Sequence, residues 1–187
     1  MMNEVNPASL LKTISLLRED ELPPVHLWNP PICKNVFMRI AQDGRWYYMD
    51  SPIGRERMVK LFSRVLRYDD DGHYYLVTPI EKIRLIVDDK PFTIINFEIK
   101  NPGLKQKIFF ETNTSDFFLL DKKHPLRVVN NSKNEPSPYI LIRSNLEGRI
   151  TRNIFYKLVD ISLTKKINGK STIGIWSDNS FFSLEGK

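Results

Sequence analysis

The sequence predicts an α+β protein of two subdomains related by a strand-helix-strand-strand duplication, with mostly antiparallel sheets. Three observations carry that reading. First, one order of motifs occurs twice: "YYMDSPIGRERMVKLFSRVL" followed by "DDDGHYYLVTP", and "ILIRSNLEGRITRNIFYKLV" followed by "INGKSTIGIWSD". Each copy runs strand, capping residue (Ser51 or Asn145), Gly-Arg pair (Gly54-Arg55 or Gly148-Arg149), amphipathic helix, glycine turn and hairpin. Second, the rest of the chain alternates apolar and polar residues between turn residues, the pattern of antiparallel strands. Third, there are five aromatic doublets: Tyr47-Tyr48, Tyr74-Tyr75, Phe109-Phe110, Phe117-Phe118 and Phe181-Phe182. Adjacent strand residues point to opposite faces, so each doublet puts one ring on each face of a sheet. The expectation is a sheet covered on both sides, by helices on one and the other subdomain on the second. The alternative is an exposed platform on which bases stack.

Taken in order, residues 7–19 read as a short amphipathic helix, with Leu10, Leu11, Ile14 and Leu17 at helical spacing and Pro7 near its start. "ELPPV" and "WNPPI" then place four prolines within nine residues, a stiff connector without regular structure, which Trp28 is expected to clamp onto a domain. The boundaries follow: 1–34 for helix and connector, 35–89 for the first subdomain, 90–187 for the second. "VFMRIAQDGRWYYM" reads as a hairpin turning at Asp43-Gly44. A helix spans 52–67, with apolar Met58, Leu61, Phe62, Val65 and Leu66 on one face and a basic stripe of Arg57, Lys60, Arg64 and Arg67 on another. Strands follow at "HYYLVTP", "IRLIV", "PFTIINFEI", "QKIFFETN" and "DFFLL". "NNSKNEPSP" is the most loop-like stretch, and then come a strand "YILIR", a helix over about 146–161, and strands "STIGIW" and "SFFSL". The core is expected from Trp46, Leu61, Phe62, Leu76, Phe97, Phe109, Phe155, Leu158 and Trp176.

Composition narrows the class. With 187 residues, 41% hydrophobic and 27% charged, the chain is globular rather than disordered. Its 28 Lys and Arg against 22 Asp and Glu give a net charge of +6, which suits an acidic ligand. The basic residues are scattered, so a nucleic-acid tail is not indicated. Cys33 is the only cysteine, which excludes an intramolecular disulfide and points to a reducing compartment. The N-terminal stretch lacks the order of a signal peptide, and no window reaches the roughly 20 apolar residues of a membrane span. The cytoplasm is the expected location, without membrane association.

The Gly-Arg pairs are the motif with chemistry. Ser51 suits an N-cap and Pro52 the first helical position. The amides of Ile53 and Gly54 would then face outward at the positive end of a helix, Gly54 would admit a ligand close to the backbone, and Arg55 could fork onto two oxygens. In the second copy, Glu147 in the first turn would compete with an anion. Arg39 and Arg143 each sit among alternating apolar residues, where a lone charge needs a partner or a ligand. The expected ligand-binding set is Arg39, Ser51, Gly54, Arg55, Thr78, Arg143 and Trp176, at a cleft where the two copies meet. Alternatively the arginines pair with Asp50, Glu81 or Glu147 and staple the subdomains. There is no Walker loop, G-x-G-x-x-G or nucleophile elbow. His26, His73 and His124 lie far apart, so no metal and no cofactor are expected.

Eight blocks together resemble the bacterial family known as domain of unknown function 1285. They are "WNPPIC", "MRIAQDGRWYY", "SPIGRERMVKLFSRVL", "YYLVTPIEKIRL", "TNTSD", "HPLRV", "YILIRSNLEGRITRNIFYKLV" and "GIWSDNSFFSL". The resemblance implies two α+β subdomains from a duplication, the second faintly like a pleckstrin-homology fold. It also implies a ligand site where they meet, suited to a nucleotide-like molecule, and a role in signal transduction. The function expected is a non-enzymatic sensor or binding protein for a small anionic or nucleotide-like ligand. The alternatives are an enzyme acting on a phosphorylated metabolite, with Glu81 or His73 as acid or base, and a protein-interaction module with a protein partner.

Overall fold

The computed structural model describes residues 7–16, 21–33, 36–103 and 105–186. Leu17, expected to close the first helix, and Lys34 lie outside the described residues. The chain divides into two compact units, 1–89 and 90–187. No described helix is long and apolar enough to cross a membrane.

In the first unit, helix α1 (Pro7–Ser15) and a 3-10 turn (Val25–Leu27) precede the sheet strands β1 (Met38–Ile40), β2 (Trp46–Tyr48) and β3 (Ser51–Pro52). Helix α2 (Glu56–Arg64) follows, then β4 (Leu66–Tyr68), β5 (Tyr74–Val77) and β6 (Lys82–Val87). The six strands form one sheet in the order β3-β2-β1-β6-β5-β4, antiparallel except for the central β1–β6 pair. Register explains the faces. Met38 opposes Tyr48 and Leu85, and Ile40 opposes Trp46, so these side chains point inward, while Arg39 between them points out. The inner face meets α2 through Phe62, which is fully buried and stacked on Trp46 at 6.2 Å. Leu10 and Ile14 of α1 are buried in turn, and α1 packs on α2.

The Pro-rich connector is fastened to this unit by charge. Arg67 Nη1 donates to the carbonyls of Val25 (2.7 Å) and Trp28 (2.6 Å), while its Nε donates to Asp69 at 2.5 Å. Lys82 Nζ donates to Asp69 at 2.6 Å and lies 3.8 Å over the Tyr75 ring. Cys33 N–H donates to the Lys82 carbonyl at 2.7 Å. The clamp on the connector is therefore Arg67 gripping the Trp28 carbonyl. Arg67 itself belongs to β4, not to the basic helix stripe expected of it, because the helix stops at Arg64.

The second unit contains β7 (Phe92–Lys100), β8 (Lys107–Thr112), β9 (Phe117–Leu119), β10 (Leu126–Asn130), β11 (Pro136–Arg143) and β12 (Leu146–Ile150). After helix α3 (Arg152–Asp160) come β13 (Leu163–Ile167), β14 (Lys170–Ser177) and β15 (Ser180–Ser183). The first six form a sheet ordered β10-β11-β12-β7-β8-β9, again with one parallel pair, β7–β12, at the centre; β13-β14-β15 form a separate three-stranded sheet. The fold is thus α+β and mostly antiparallel, with two similar six-stranded sheets and the same strand-helix-strand-strand run, β3-α2-β4-β5 and β12-α3-β13-β14. Within this unit Ile108 N–H donates to Ser177 Oγ at 3.0 Å, and Gln106 Nε2 to the Trp176 carbonyl at 2.9 Å, joining β8 to β14.

Several expectations are corrected. The helices are shorter than 52–67 and 146–161, because "SP" and "LEGRI" pair as strands instead. The loop-like stretch is only a hairpin turn over 131–135, flanked by β10 and β11. Of the expected core, Trp46, Phe62, Leu76, Phe155 and Leu158 are buried, while Leu61, Phe97, Phe109 and Trp176 are half-buried. The doublets do split between faces: Phe110 is buried, but Phe109 and Phe117 stack on the other face at 5.4 Å, with Phe117 half exposed. Lys100 lies 4.9 Å over Phe109, so an ammonium rather than a covering element sits on those rings.

Glu147 is on β12, not in a helix turn. Arg127 forks onto it through Nε (2.6 Å) and Nη2 (2.7 Å), and Lys90 Nζ adds a third bond at 2.7 Å. The Arg127 fork holds the carboxyl down at about 2 against an ordinary 4.5, overcoming burial, which pushes it up; Lys90 adds to the lowering. A depressed carboxyl stabilises the fold above its ordinary value and ceases to do so as the pH falls towards 2. Glu147→Gln is expected to cost about 1–2 kcal/mol at neutral pH, discounted because Arg127 is half exposed. In urea titrations at stepped pH, that difference from the parent should shrink steadily between the two values.

Candidate functional site

The β2–β3 hairpin turns in two residues, Met49 and Asp50, both with positive φ (46° and 62°). That is the geometry whose twist matches paired strands, and Asp tolerates it well. The turn lays Ser51 opposite Tyr48 on an edge strand, where Pro52 has no ladder bond to lose. Ile53 N–H still donates to the Trp46 carbonyl at 2.8 Å, and Gly54 and Arg55 then lead into α2. Arg55 stands at the N-cap position in extended backbone (φ −94°, ψ 102°), its carbonyl accepting from Met58 and Val59.

These elements form an open pocket of about 260 Å³ lined by Tyr48, Ser51, Pro52, Ile53, Gly54, Arg55 and Met58. Three residues expected from the sequence, Ser51, Gly54 and Arg55, therefore line one concavity. Their roles differ from those anticipated. Ser51 is a strand residue and caps nothing, and Pro52 precedes the helix by four positions. Glu56 is the acidic residue in the first turn, so the helix end already has its negative charge. The Arg55 side chain is exposed and makes no hydrogen bond or ion pair among the described residues. A Cβ on Gly54 would meet nothing within 4 Å, so the backbone there is open to approach.

The second Gly-Arg pair has a different cause. Gly148 lies inside β12, between Ile140 and Phe92, and a Cβ there would come within 3.1 Å of Ile142 Cδ1 and 3.3 Å of Phe92 Cβ. Close strand packing requires that glycine, and α3 begins four residues later.

The remaining expected residues are occupied elsewhere. Arg39, on the outer face, forks onto Asp88 at 2.9 and 2.5 Å and thereby holds that carboxyl below the usual range. Thr78 is fully buried; its hydroxyl accepts the Glu81 N–H at 3.2 Å inside the β5–β6 turn. Arg143 belongs to the second unit, 3.7 Å from Asp116 and 4.9 Å above the Phe92 ring. Asp116 also accepts from Thr114 Oγ1 at 2.7 Å, so "TNTSD" is an ordered turn. Trp176 packs on Phe181 and under Lys165. Arg39 is thus ion-paired with Asp88, and Arg143 with Asp116.

His73 and Glu81 lie beyond opposite ends of β5, a strand of about 13 Å, so they do not meet as an acid–base pair. Burial raises the Glu81 carboxyl, whose Oε1 has no partner among the described residues. Among the described residues no group of three His, Cys, Asp or Glu is placed to hold a metal. Sequence reasoning missed Tyr48 and Met58 as lining residues, and it left free for a ligand the Ile53 N–H, which the Trp46 carbonyl takes up. Asp50, a turn-former two positions before Pro52, is the signal that the chain reverses there.

Residues 23–90 match the family "Domain of unknown function (DUF1285), N-terminal domain", and residues 91–184 match "Protein of unknown function (DUF1285), C-terminal domain". The chain belongs to the DUF1285 family. It is similar to the crystal structure of a DUF1285 family protein from Silicibacter pomeroyi DSS-3, with 39% identity over 95% of this chain and 94% of that one, and a TM-score of 0.81. It is also similar to a DUF1285 family protein from Shewanella baltica OS155, with 26% identity over 68% of this chain and 94% of that one, and a TM-score of 0.54. No curated protein matches. Within the DUF1285 architecture, the pocket belongs entirely to the N-terminal domain.

Proposed function

We propose that this DUF1285 protein is a non-enzymatic binding protein or sensor for a small anionic, nucleotide-like ligand, acting in signal transduction. The observation that carries the reading is an Arg55 without a partner among the described residues, at a pocket whose other lining is largely apolar. Small-ligand sites join an apolar wall, which holds the body of the ligand, to a few polar groups that orient it, in volumes of about 300–1,000 Å³. At about 260 Å³, this one lies just below that range and suits a ligand of small size. Tyr48, Ile53 and Met58 would hold a base or similar body, Arg55 would fork onto two anionic oxygens, and Gly54 would allow close approach to the backbone.

Thermal-shift titration of the full chain against nucleoside mono- and diphosphates, cyclic nucleotides and inorganic phosphate tests this. A ligand at 100 times its Kd adds about 2.7 kcal/mol of stability. Arg55→Leu is expected to weaken that ligand at least about tenfold, the worth of one charge-assisted bond. Arg39→Leu, on the other face, should leave its affinity unchanged. Equal binding by the Arg55→Leu variant would sink the assignment, and turnover of any compound in the panel would replace it with the enzyme reading.

A further inference from the structure

A second surface, in the other unit and independent of the pocket, carries its own argument. Strand β13 is the edge of the three-stranded sheet, and all five of its residues are exposed. Ile173, opposite Thr164, gives its N–H to Glu185 Oε1 and its carbonyl to the Leu184 N–H, both on the β15 side. Thr164 and Ile173 are therefore a non-bonded pair, and antiparallel alternation turns the N–H and C=O of Thr164, and of Lys166 two residues on, away from the sheet. Those groups form an open row on which another strand can pair.

The charge on that row is positive. From 152 to 178 the basic residues are Arg152, Lys157, Lys165, Lys166 and Lys170 against Asp160 and Asp178, and the acids Asp178 and Glu185 are engaged by Lys107 and Lys170. Lys165 is held 4.5 Å over the Trp176 ring, and neither it nor Lys166 makes an ion pair among the described residues. Edge lysines ordinarily deter pairing. Here they deter a second copy, which would set these lysines against their like, and favour a strand of opposite charge. A bilayer fits less well. Leu163 and Ile167 alternate onto one face, while Ile173 (44% exposed) lies on the other, so the exposed apolar residues do not gather on one side.

We propose that the outer edge of β13 receives an extended acidic segment of a partner protein as an added strand. The backbone of Thr164 and Lys166 would supply the pairing and the lysines the selectivity.

The test uses the full chain and three probes: an eight-residue peptide alternating glutamate and valine, its lysine–valine counterpart, and phosphatidylserine vesicles. Anisotropy should show the acidic peptide binding and the basic one not, with slowed exchange of the Thr164 and Lys166 amides at saturation. Thr164→Pro removes an outward N–H that the sheet does not use, so folding is retained. It should bind at least about tenfold more weakly, the worth of a backbone hydrogen bond or two. Lys165→Glu with Lys166→Glu should reverse the peptide preference. Unslowed amides in the parent chain, or undiminished binding by a folded Thr164→Pro variant, would overturn the proposal. So would binding to vesicles but not to the peptide, or self-association through this edge.

Discussion

Replacing Phe62 by alanine is expected to destabilise the N-terminal unit by about 3–5 kcal/mol, the cost of removing a fully buried aromatic from a packed core. Phe62 has no exposed surface and stacks on Trp46, itself 1% exposed, at 6.2 Å with 29° between the planes. It is the buried apolar residue of α2, and Leu66 and Leu76 of the neighbouring strands are buried as well. Urea denaturation followed by tryptophan emission reads the change. A loss below about 1 kcal/mol would place Phe62 outside a packed core and undo the assigned helix face.

The second large effect is expected from Asp69→Ala. Arg67, Asp69 and Lys82 have side chains only 16%, 18% and 9% exposed, so deleting the carboxylate leaves two largely buried cations facing each other. Removing one partner of a buried pair costs roughly 3–5 kcal/mol, and the slight exposure of Asp69 sets the expectation at about 3. Burial pushes the Asp69 carboxyl up, but the hydrogen bonds from Arg67 and Lys82 outweigh it and hold it below 3.8. Its contribution is therefore present above that ordinary value and disappears as the pH falls through the lowered one. The substitution has a second readout. Arg67 also holds the Val25 and Trp28 carbonyls, so the connector should become more susceptible to limited proteolysis. Arg45→Ala, which removes the exposed pair with Asp43 but keeps the turn bond from the Arg45 N–H to Asp43, should change neither stability nor proteolysis. Equal behaviour of the two variants would mean that the network is a surface ornament.

The strongest sequence signals were those with a local physical cause. Alternation and turn residues marked β1, β2, β5, β6, β7 and β8, because each has a buried face and a short reversal beside it. The pattern failed where a strand has no buried face to print. All five residues of β13 are exposed and two are lysines, so only pairing with β14 makes it a strand. Likewise "LEGRI" has helix formers on both sides of its glycine, but it lies between β11 and β7 and takes their geometry.

The two Gly-Arg pairs show where the division falls. From order and spacing, the sequence determined an α+β chain with a repeated strand-helix-strand-strand run, and Ser51, Gly54 and Arg55 as neighbours at a turn into a helix; eight motif blocks carried the resemblance to the family. It could not separate a glycine that leaves space from a glycine that has none, since both are written as the same letter. Tertiary structure decided that. Gly54 borders an open pocket, whereas Gly148 is pressed between Ile142 and Phe92, the latter distant in the chain. It also chose the partners of the arginines, giving Arg39 to Asp88, 49 residues away, and Arg143 to Asp116. Which charge meets which depends on register across strands, and register is a property of the assembled sheet rather than of any segment in it.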